Sequence, residues 1–307
     1  MYDLIGDIHG YADELERLLD TLGYRKTNGV YGHPDRKAIF LGDLIDRGPK
    51  IRQVLEIVRA MIEEENALAV MGNHELNALA FHTEDPERAG VFLRPRTTKN
   101  IRQYGQTILQ LNETQLNDAL AWFRTLPMWL DLDGLRVVHA CWDDVAIAAI
   151  EQAITNHQGI TPTLIQSARK EGNDLFRHVE VVLKGKEAML PQGISYADKD
   201  GHLRSRIRTR WYLPPEGHTY RTYAFQTEEL ACDAPLDPLV CQAAIPYPSS
   251  AKPVFLGHFG MREKRPQILA ENVACLDYGI VKGGFLCAYR WHGEQRLKDD
   301  NFVWVQS

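Results

Sequence analysis

Three short apolar runs, Tyr2–Ile5, Ala38–Leu41 and Leu68–Met71, alternate with two amphipathic patterns near the start of the chain. In the first pattern Leu15, Leu18, Leu19 and Leu22 share one helical face and Gly23 ends it. The second opens at Pro49 and places Val54, Leu55, Val58, Met61 and Ile62 on one stripe. Strand, helix, strand, helix, strand within so short a span demands parallel pairing, because a helical crossover returns the chain to run the same way. Each run ends in a polar signature: Gly6-Asp7-Ile8-His9-Gly10, Gly42-Asp43-Leu44-Ile45-Asp46-Arg47-Gly48 and Gly72-Asn73-His74-Glu75. Two later histidines repeat the setting, His139 after Leu135–Val138 and His258 after Pro253–Gly257. Five strands that each deliver ligand-type side chains at their C-terminal ends predict one converging site.

The remaining chain reads as scaffold and cover. Helices are predicted at 76–82, 113–126 (stopped by Pro127), 145–156 and 174–183, and a hairpin turns at Asp133-Gly134 between 129–132 and 135–138. Residues 24–37 suit a loop or minor hairpin, and 83–106 show no clear pattern. Strands are expected at 253–256, 267–270, 273–277, 284–290 and 302–305. Residues 142–250 are irregular, and Pro235, Pro238, Pro246 and Pro248 mark a surface crossing. This region is expected to be an insertion or cap within a single domain spanning 1–307. Its basic part carries Lys184, Lys186, Lys199, Arg204, Arg206, Arg208 and Arg210. If extended, the alternation from Arg204 to Arg210 puts four arginines on one face, followed by Trp211 and Tyr212, which suit either base stacking or inward packing.

Composition excludes several classes. The formal charge is -6 and no dense basic tract occurs, so an extensive nucleic-acid footprint is not expected. No apolar run approaches membrane-span length, and the first residues do not resemble a signal peptide. Cys141, Cys232, Cys241, Cys275 and Cys287 are scattered, without CxxC pairs, which predicts reduced thiols and a cytoplasmic location.

Asp7 and His9 sit two residues apart and point the same way if extended. A carboxylate with an imidazole suits Mn²⁺, Zn²⁺ or Fe better than Ca²⁺. If Asp43 bridges, two ions would lie about 3.5–4 Å apart, with Asn73, His139 and His258 completing the second. His74 would then protonate a leaving oxygen, Asp46 would orient its other ring nitrogen, and Arg47 would fork onto phosphoryl oxygens. Taken singly, each signature also fits a capped turn, a local ion pair or a helix start. Five complementary strand ends together do not.

On these residues the chain resembles the calcineurin-like metallophosphoesterases, in the branch of phosphoprotein phosphatases and symmetrical diadenosine tetraphosphatases. The ordered signature GDxHG, GDxxDRG, GNHE, a strand-ending His and GH is met at Gly6–Gly10, Gly42–Gly48, Gly72–Glu75, His139 and Gly257-His258. Leu276-Asp277-Tyr278-Gly279 and Gly283-Gly284-Phe285-Leu286 also resemble the family's last hairpin. The resemblance implies an α/β fold, a four-layer αββα sandwich of two mixed sheets with a dinuclear site at the strand ends. It places Asp7, His9 and Asp43 on one metal and Asp43, Asn73, His139 and His258 on the other, with His74 and Asp46 as the acid pair and Arg47 on phosphate. The chain departs from the family in having Met71 where many members carry a phosphate-binding arginine before GNHE, and Cys141-Trp142 after the later histidine. Residues 142–250 also lack the family pattern that supplies another phosphate-binding arginine, and Arg206, Arg208 and Arg210 are candidates to replace it.

The expected function is metal-dependent hydrolysis of a phosphate ester or anhydride by a metal-bound hydroxide, of phosphomonoesterase or protein-phosphatase type. Symmetrical dinucleoside tetraphosphate hydrolysis, nucleic-acid end dephosphorylation and a catalytically silent binding module are the alternatives. Two divalent ions are implied, Mn²⁺ for assay with Fe or Zn as other choices. The substrate would be a phosphorylated small molecule, a nucleotide or a phosphoprotein. Neither a membrane nor an obligatory protein partner is predicted.

Overall fold

In the computed structural model, residues 1–197, 203–225 and 230–307 are described. Lys199 and His202 lie outside the described residues. Tyr2–Ile5 pairs in parallel with Lys37–Phe40, which pairs in parallel with Ala67–Ala69. On its other side Tyr2–Ile5 runs antiparallel to Phe285–Trp291. That long strand also carries Asp277–Tyr278, next to Tyr2–Ile5 on the same side, and Phe302–Gln306 on the opposite side. A second sheet is built in the order Val273–Cys275, Val254–Leu256, Leu135–Val138, Trp129–Leu132, the last pair being the predicted hairpin.

The apolar faces of the two sheets close on one core, where the Phe255 and Tyr289 rings meet at 5.1 Å. Ala12–Thr21 and Ile51–Glu63 pack on the first sheet, burying Leu15, Leu18 and Leu19, and Val54, Val58 and Met61. Asp144–His157, Pro162–Arg169 and Asp174–Lys184 pack together beside the second sheet, where Ala140 N–H donates to Val182 O at 3.0 Å. The result is the four-layer αββα sandwich with mixed sheets. Among the described residues no helix is long and apolar enough to cross a membrane. The five cysteines form no disulfide.

Three expectations change. The run 273–277 is not one strand: the chain leaves the second sheet after Cys275 and enters the first at Asp277. Leu276 makes the crossing, with its N–H on Leu256 O at 2.7 Å. Gly6 permits it, since a Cβ there would stand 2.1 Å from Leu276 O. Residues 267–270 form no strand apart from a bridge between Ala270 and Val273; Gln267 and Ile268 give their N–H groups to the Tyr278 hydroxyl and Asp299 instead. Thr98–Gln110, inside and beyond the unpatterned stretch, is a helix capped by the Thr97 hydroxyl.

The inserted region divides between two cores. The helices Asp144–His157, Pro162–Arg169 and Asp174–Lys184, with Trp211, Tyr212, Phe225 and Tyr247, join the main one. Residues from Ala188 to Leu236 close a smaller cluster around Ile207, Tyr220 and Tyr223.

Candidate active site

The first three signatures leave the first sheet at its C-terminal edge and lock together. His9 N–H donates to Asp43 O and Gly10 N–H to Leu44 O, both at 2.9 Å. Glu75, fully buried, lies beneath: its Oε2 accepts from Asp43 and Gly72 N–H at 2.9 and 2.8 Å, and its Oε1 from Leu44 N–H at 2.8 Å. These bonds hold backbone that side chains normally avoid. His9 (φ 48°), Asp43 (51°), Asp46 (71°), Arg47 (69°) and His258 (69°) are all left-handed. Such residues cost about 1–3 kcal/mol each and persist where the surroundings over-determine them.

Hydrogen bonds fix the imidazole tautomers. His9 Nδ1 donates to Ile45 O at 2.8 Å and His139 Nδ1 to Leu41 O at 2.7 Å, so each turns its Nε2 into the site. His9 Nε2 lies 3.7 Å from Asp43 Oδ2, and His139 Nε2 lies 3.4 Å from Asp43 Oδ1. Asn73 Oδ1 is 3.2 Å from His139 Nε2 and 2.7 Å from His258 Nδ1. Ligand atoms of His9, Asp43 and His74 lie within 4.8 Å of one another, and so do those of Asp43, His139 and His258. Asp43 is common to both groups.

Asp7, from the first sheet, completes the ring against Gly257 and His258 of the second. Its Oδ2 accepts from His258 N–H at 3.0 Å, while its buried Oδ1 has no hydrogen-bond partner. Gly257 makes room for it, as a Cβ there would fall 2.0 Å from Asp7 Oδ1. Burial, with Asp277 and Asp43 close by, holds the Asp7 carboxyl well above its usual range. An orphaned carboxylate oxygen crowded by other acids, together with the ring nitrogens of His9, His139 and His258, is the donor set that divalent transition ions take.

His74 has a different setting. Its Nδ1 meets Asp46 Oδ2 at 2.5 Å, and Thr107 Oγ1 donates to Asp46 Oδ1 at 2.5 Å. The His74 Nε2 is 3.3 Å from the Gln103 amide and 3.8 Å from Asp43 Oδ2. Burial opposes its protonation, but the Asp43 charge and the Asp46 bond outweigh burial and raise its pKa. With Nδ1 engaged by a carboxylate and Nε2 turned toward the cavity, its geometry suits a proton donor or a metal ligand.

Asp7, His9, Asp43, Asn73, His74 and His258 line a cavity of about 310 Å³ with the exposed Arg47 at its rim; His139 and Asp46 sit buried behind them. The three inserted arginines do not line this cavity. Arg206 and Arg208 face Glu187 at 3.4 and 3.2 Å, and Arg210 Nε donates to Ala224 O at 3.1 Å. Arg204–Arg210 is not one extended run, since Ser205 bends between two short strands. Trp211 and Tyr212 are buried, with Trp211 Nε1 on Ala140 O at 3.1 Å, so inward packing holds and no base platform forms there. Sequence reasoning missed Asp277, Gln103 and Thr107 at the site.

The sequence profile of calcineurin-like phosphoesterases matches residues 2–182, more than half of the chain. The chain belongs to the calcineurin-like phosphoesterase family. Among its relatives, the asymmetrical bis(5'-nucleosyl)-tetraphosphatase of Halalkalibacterium halodurans is 47% identical over 74 residues, 24% of this chain and 30% of that protein. This phosphoesterase thus spans under a third of the length of the first such relatives. The symmetrical bis(5'-nucleosyl)-tetraphosphatase of Klebsiella pneumoniae is 28% identical over 302 residues, 95% of this chain and 92% of that one. The cold-active protein-tyrosine phosphatase of a Shewanella species shares the fold at 16% identity and a TM-score of 0.54, over 94% of this chain and 74% of that one. A serine/threonine phosphatase from Saccharomyces cerevisiae does so at 13% identity and 0.51, over 99% and 78%.

Proposed function

We propose that this chain is a metal-dependent hydrolase of phosphoric anhydrides, acting on dinucleoside tetraphosphates or related nucleotides. The observation that carries the chemistry is the convergence of ligand atoms from five strand ends on Asp43, with the His74–Asp46 pair alongside. In this reading Asp7, His9 and Asp43 hold one divalent ion and Asp43, Asn73, His139 and His258 hold the other. Mn²⁺ is the first choice for such nitrogen and oxygen donors, with Fe and Zn as alternatives. When bound, the ions would supply a solvent nucleophile and neutralise phosphoryl charge.

The chain's own residues do the rest. Arg47, at the cavity rim and without a salt bridge among the described residues, binds phosphoryl oxygens through its guanidinium fork. His74 Nε2 gives a proton to the leaving oxygen, and Asp46 keeps Nδ1 protonated and the ring in place. Thr107 fixes Asp46 in turn. Similarity along nearly the whole chain to the Klebsiella symmetrical tetraphosphatase supports the nucleotide substrate over a phosphoprotein. Arg206, Arg208 and Arg210 can aid phosphate binding only by leaving Glu187 and Ala224, and of the three Arg208 is near enough to affect His258. Residues 142–250 act as cover within a single domain of residues 1–307, and the protein works in the cytoplasm.

The test is product analysis of diadenosine tetraphosphate treated with the Mn²⁺-loaded protein. Two molecules of ADP are expected. Phosphate release from a phosphopeptide, with the tetraphosphate left intact, would overturn the substrate assignment in favour of a phosphomonoesterase.

A further inference from the structure

The helix Thr98–Gln110 is fastened to the metal cavity by a polar face, on which Gln103, Thr107 and Gln110 follow one another at helical spacing. Gln110 Nε2 donates to Gly48 O at 2.9 Å, and its Oε1 accepts from Ile51 N–H at 2.6 Å. Thr107 Oγ1 accepts from Asp46 N–H at 3.1 Å and donates to the Asp46 carboxylate at 2.5 Å. These bonds tie the helix to the loop that carries Asp46 and Arg47. Gln103 rides on the same frame and forms part of the cavity wall.

The Gln103 amide is aimed from behind. Arg94 Nη2 donates to its Oε1 at 2.8 Å, so the N–H₂ group faces the other way, with Nε2 3.3 Å from His74 Nε2. Turning the amide over would set its N–H₂ against the guanidinium, donor to donor. One amide N–H is directed at His74, and the second has no protein acceptor among the described residues. Arg94 forms no salt bridge among the described residues. Burial, then the charge of Arg169, lower its pKa to about 10, so it remains a cation at neutral pH. A cation bonded to the amide oxygen polarises the amide and strengthens its N–H₂ as a donor. A rigidly held donor thus stands in the cavity beside the nitrogen that faces the leaving oxygen.

We propose that Gln103 is a further catalytic residue, whose N–H₂ donates to the leaving oxygen while His74 protonates that oxygen. This rests on the phosphoesterase reading above, in which His74 Nε2 is the acid. In that step Nε2 presents a proton instead of a lone pair, and the amide N–H turns to the same oxygen. The P–O bond breaks, its electron pair stays on the leaving oxygen, and the proton passes from His74 Nε2 to that oxygen. Gln103 moves no proton and offsets the charge that develops before the transfer is complete, so its effect falls on kcat. Arg94 is a positioning residue that acts through the amide.

Two measurements on the full, Mn²⁺-loaded chain test it. On diadenosine tetraphosphate, Gln103→Met should lower kcat per metallated chain at least about tenfold and leave KM within about twofold. Arg94→Met should do the same, and Arg94→Lys should recover most of the loss. On aryl phosphates, the loss in Gln103→Met should be at least about fivefold larger for phenyl phosphate than for 4-nitrophenyl phosphate, whose leaving oxygen needs less help. A folding or metal-binding defect lowers both esters alike, so the ratio separates it from a contact with the leaving oxygen. Unchanged kcat on diadenosine tetraphosphate in Gln103→Met, or equal losses on the two esters, would overturn the role of Gln103 and leave the phosphoesterase reading intact. A metallated wild type that hydrolyses none of the three substrates would overturn the phosphoesterase reading, and the role of Gln103 with it.

Discussion

The backbone N–H of Asp43 ends on Glu75 Oε2 at 2.9 Å, and that bond holds the residue shared by both candidate ligand groups at a φ of 51°. The same carboxylate takes N–H groups from Gly72 and Leu44, so one buried acid ties the second signature to the third.

Glu75→Gln should therefore act through the loop rather than through chemistry. An amide offers one acceptor oxygen where three N–H groups converge, and its own N–H₂ would face donors. We expect a loss of about 3 kcal/mol in unfolding free energy, read by urea titration. A variant of unchanged stability would show that Glu75 does not bear the loop.

Asp46→Asn tests the acid pair. In the folded protein burial opposes protonation of His74, yet the Asp43 charge and the Asp46 bond prevail and its pKa is raised. The protonated form therefore persists to higher pH, and activity that needs it is lost as pH rises through that pKa. Removing the Asp46 carboxylate lowers the pKa, so the alkaline limb of the kcat profile should move to lower pH. For a substrate with a poor leaving group the rate should fall by about 10²-fold or more. An unmoved limb would remove His74 from the acid role.

The parallel strands and the five strand ends were legible because each is an apolar run ending in a ligand-type side chain, and in all but the His139 strand a glycine stands between the two. The acid pair's support was not. Thr98–Gln110 buries only Tyr104 and Thr107, while Ile101, Ile108 and Leu109 are exposed, so it lacks the apolar stripe that reveals a helix. Gln103 and Thr107 went unseen with it, and Thr97 as N-cap was the one local signal. Pro162–Arg169 was missed although Thr161 and Pro162 form a standard helix start. Asp277 was hidden because 273–277 reads as one buried strand, and the change of sheet at Leu276 depends on Gly6, far away in the chain. The arginine alternation misled for a similar reason: the partner strand brings Glu187 to Arg206 and Arg208, and pairing between strands is not written in either one.

Gly6→Ala should break that crossing. A Cβ 2.1 Å from Leu276 O forces the two sheets apart at the metal edge. The expected cost is about 2–3 kcal/mol by denaturant titration. Wild-type stability would show that the crossing can relax.

Metal removal should destabilise the fold, because Asp7, Asp43 and Asp277 then face one another without a cation. Stripped protein resupplied with Mn²⁺ at a hundredfold over its dissociation constant should gain about 3 kcal/mol. No gain in Tm on titration would mean that the cluster holds no ion.

The most direct measurement joins metal content to turnover in wild type and Asp43→Asn. Wild type, stripped and reloaded with Mn²⁺, should bind two ions per chain and hydrolyse diadenosine tetraphosphate only when loaded. Asp43→Asn should retain less metal and lose at least about 10²-fold in kcat. Turnover that survives chelation, or a fully metallated and fully active Asp43→Asn protein, would contradict the account.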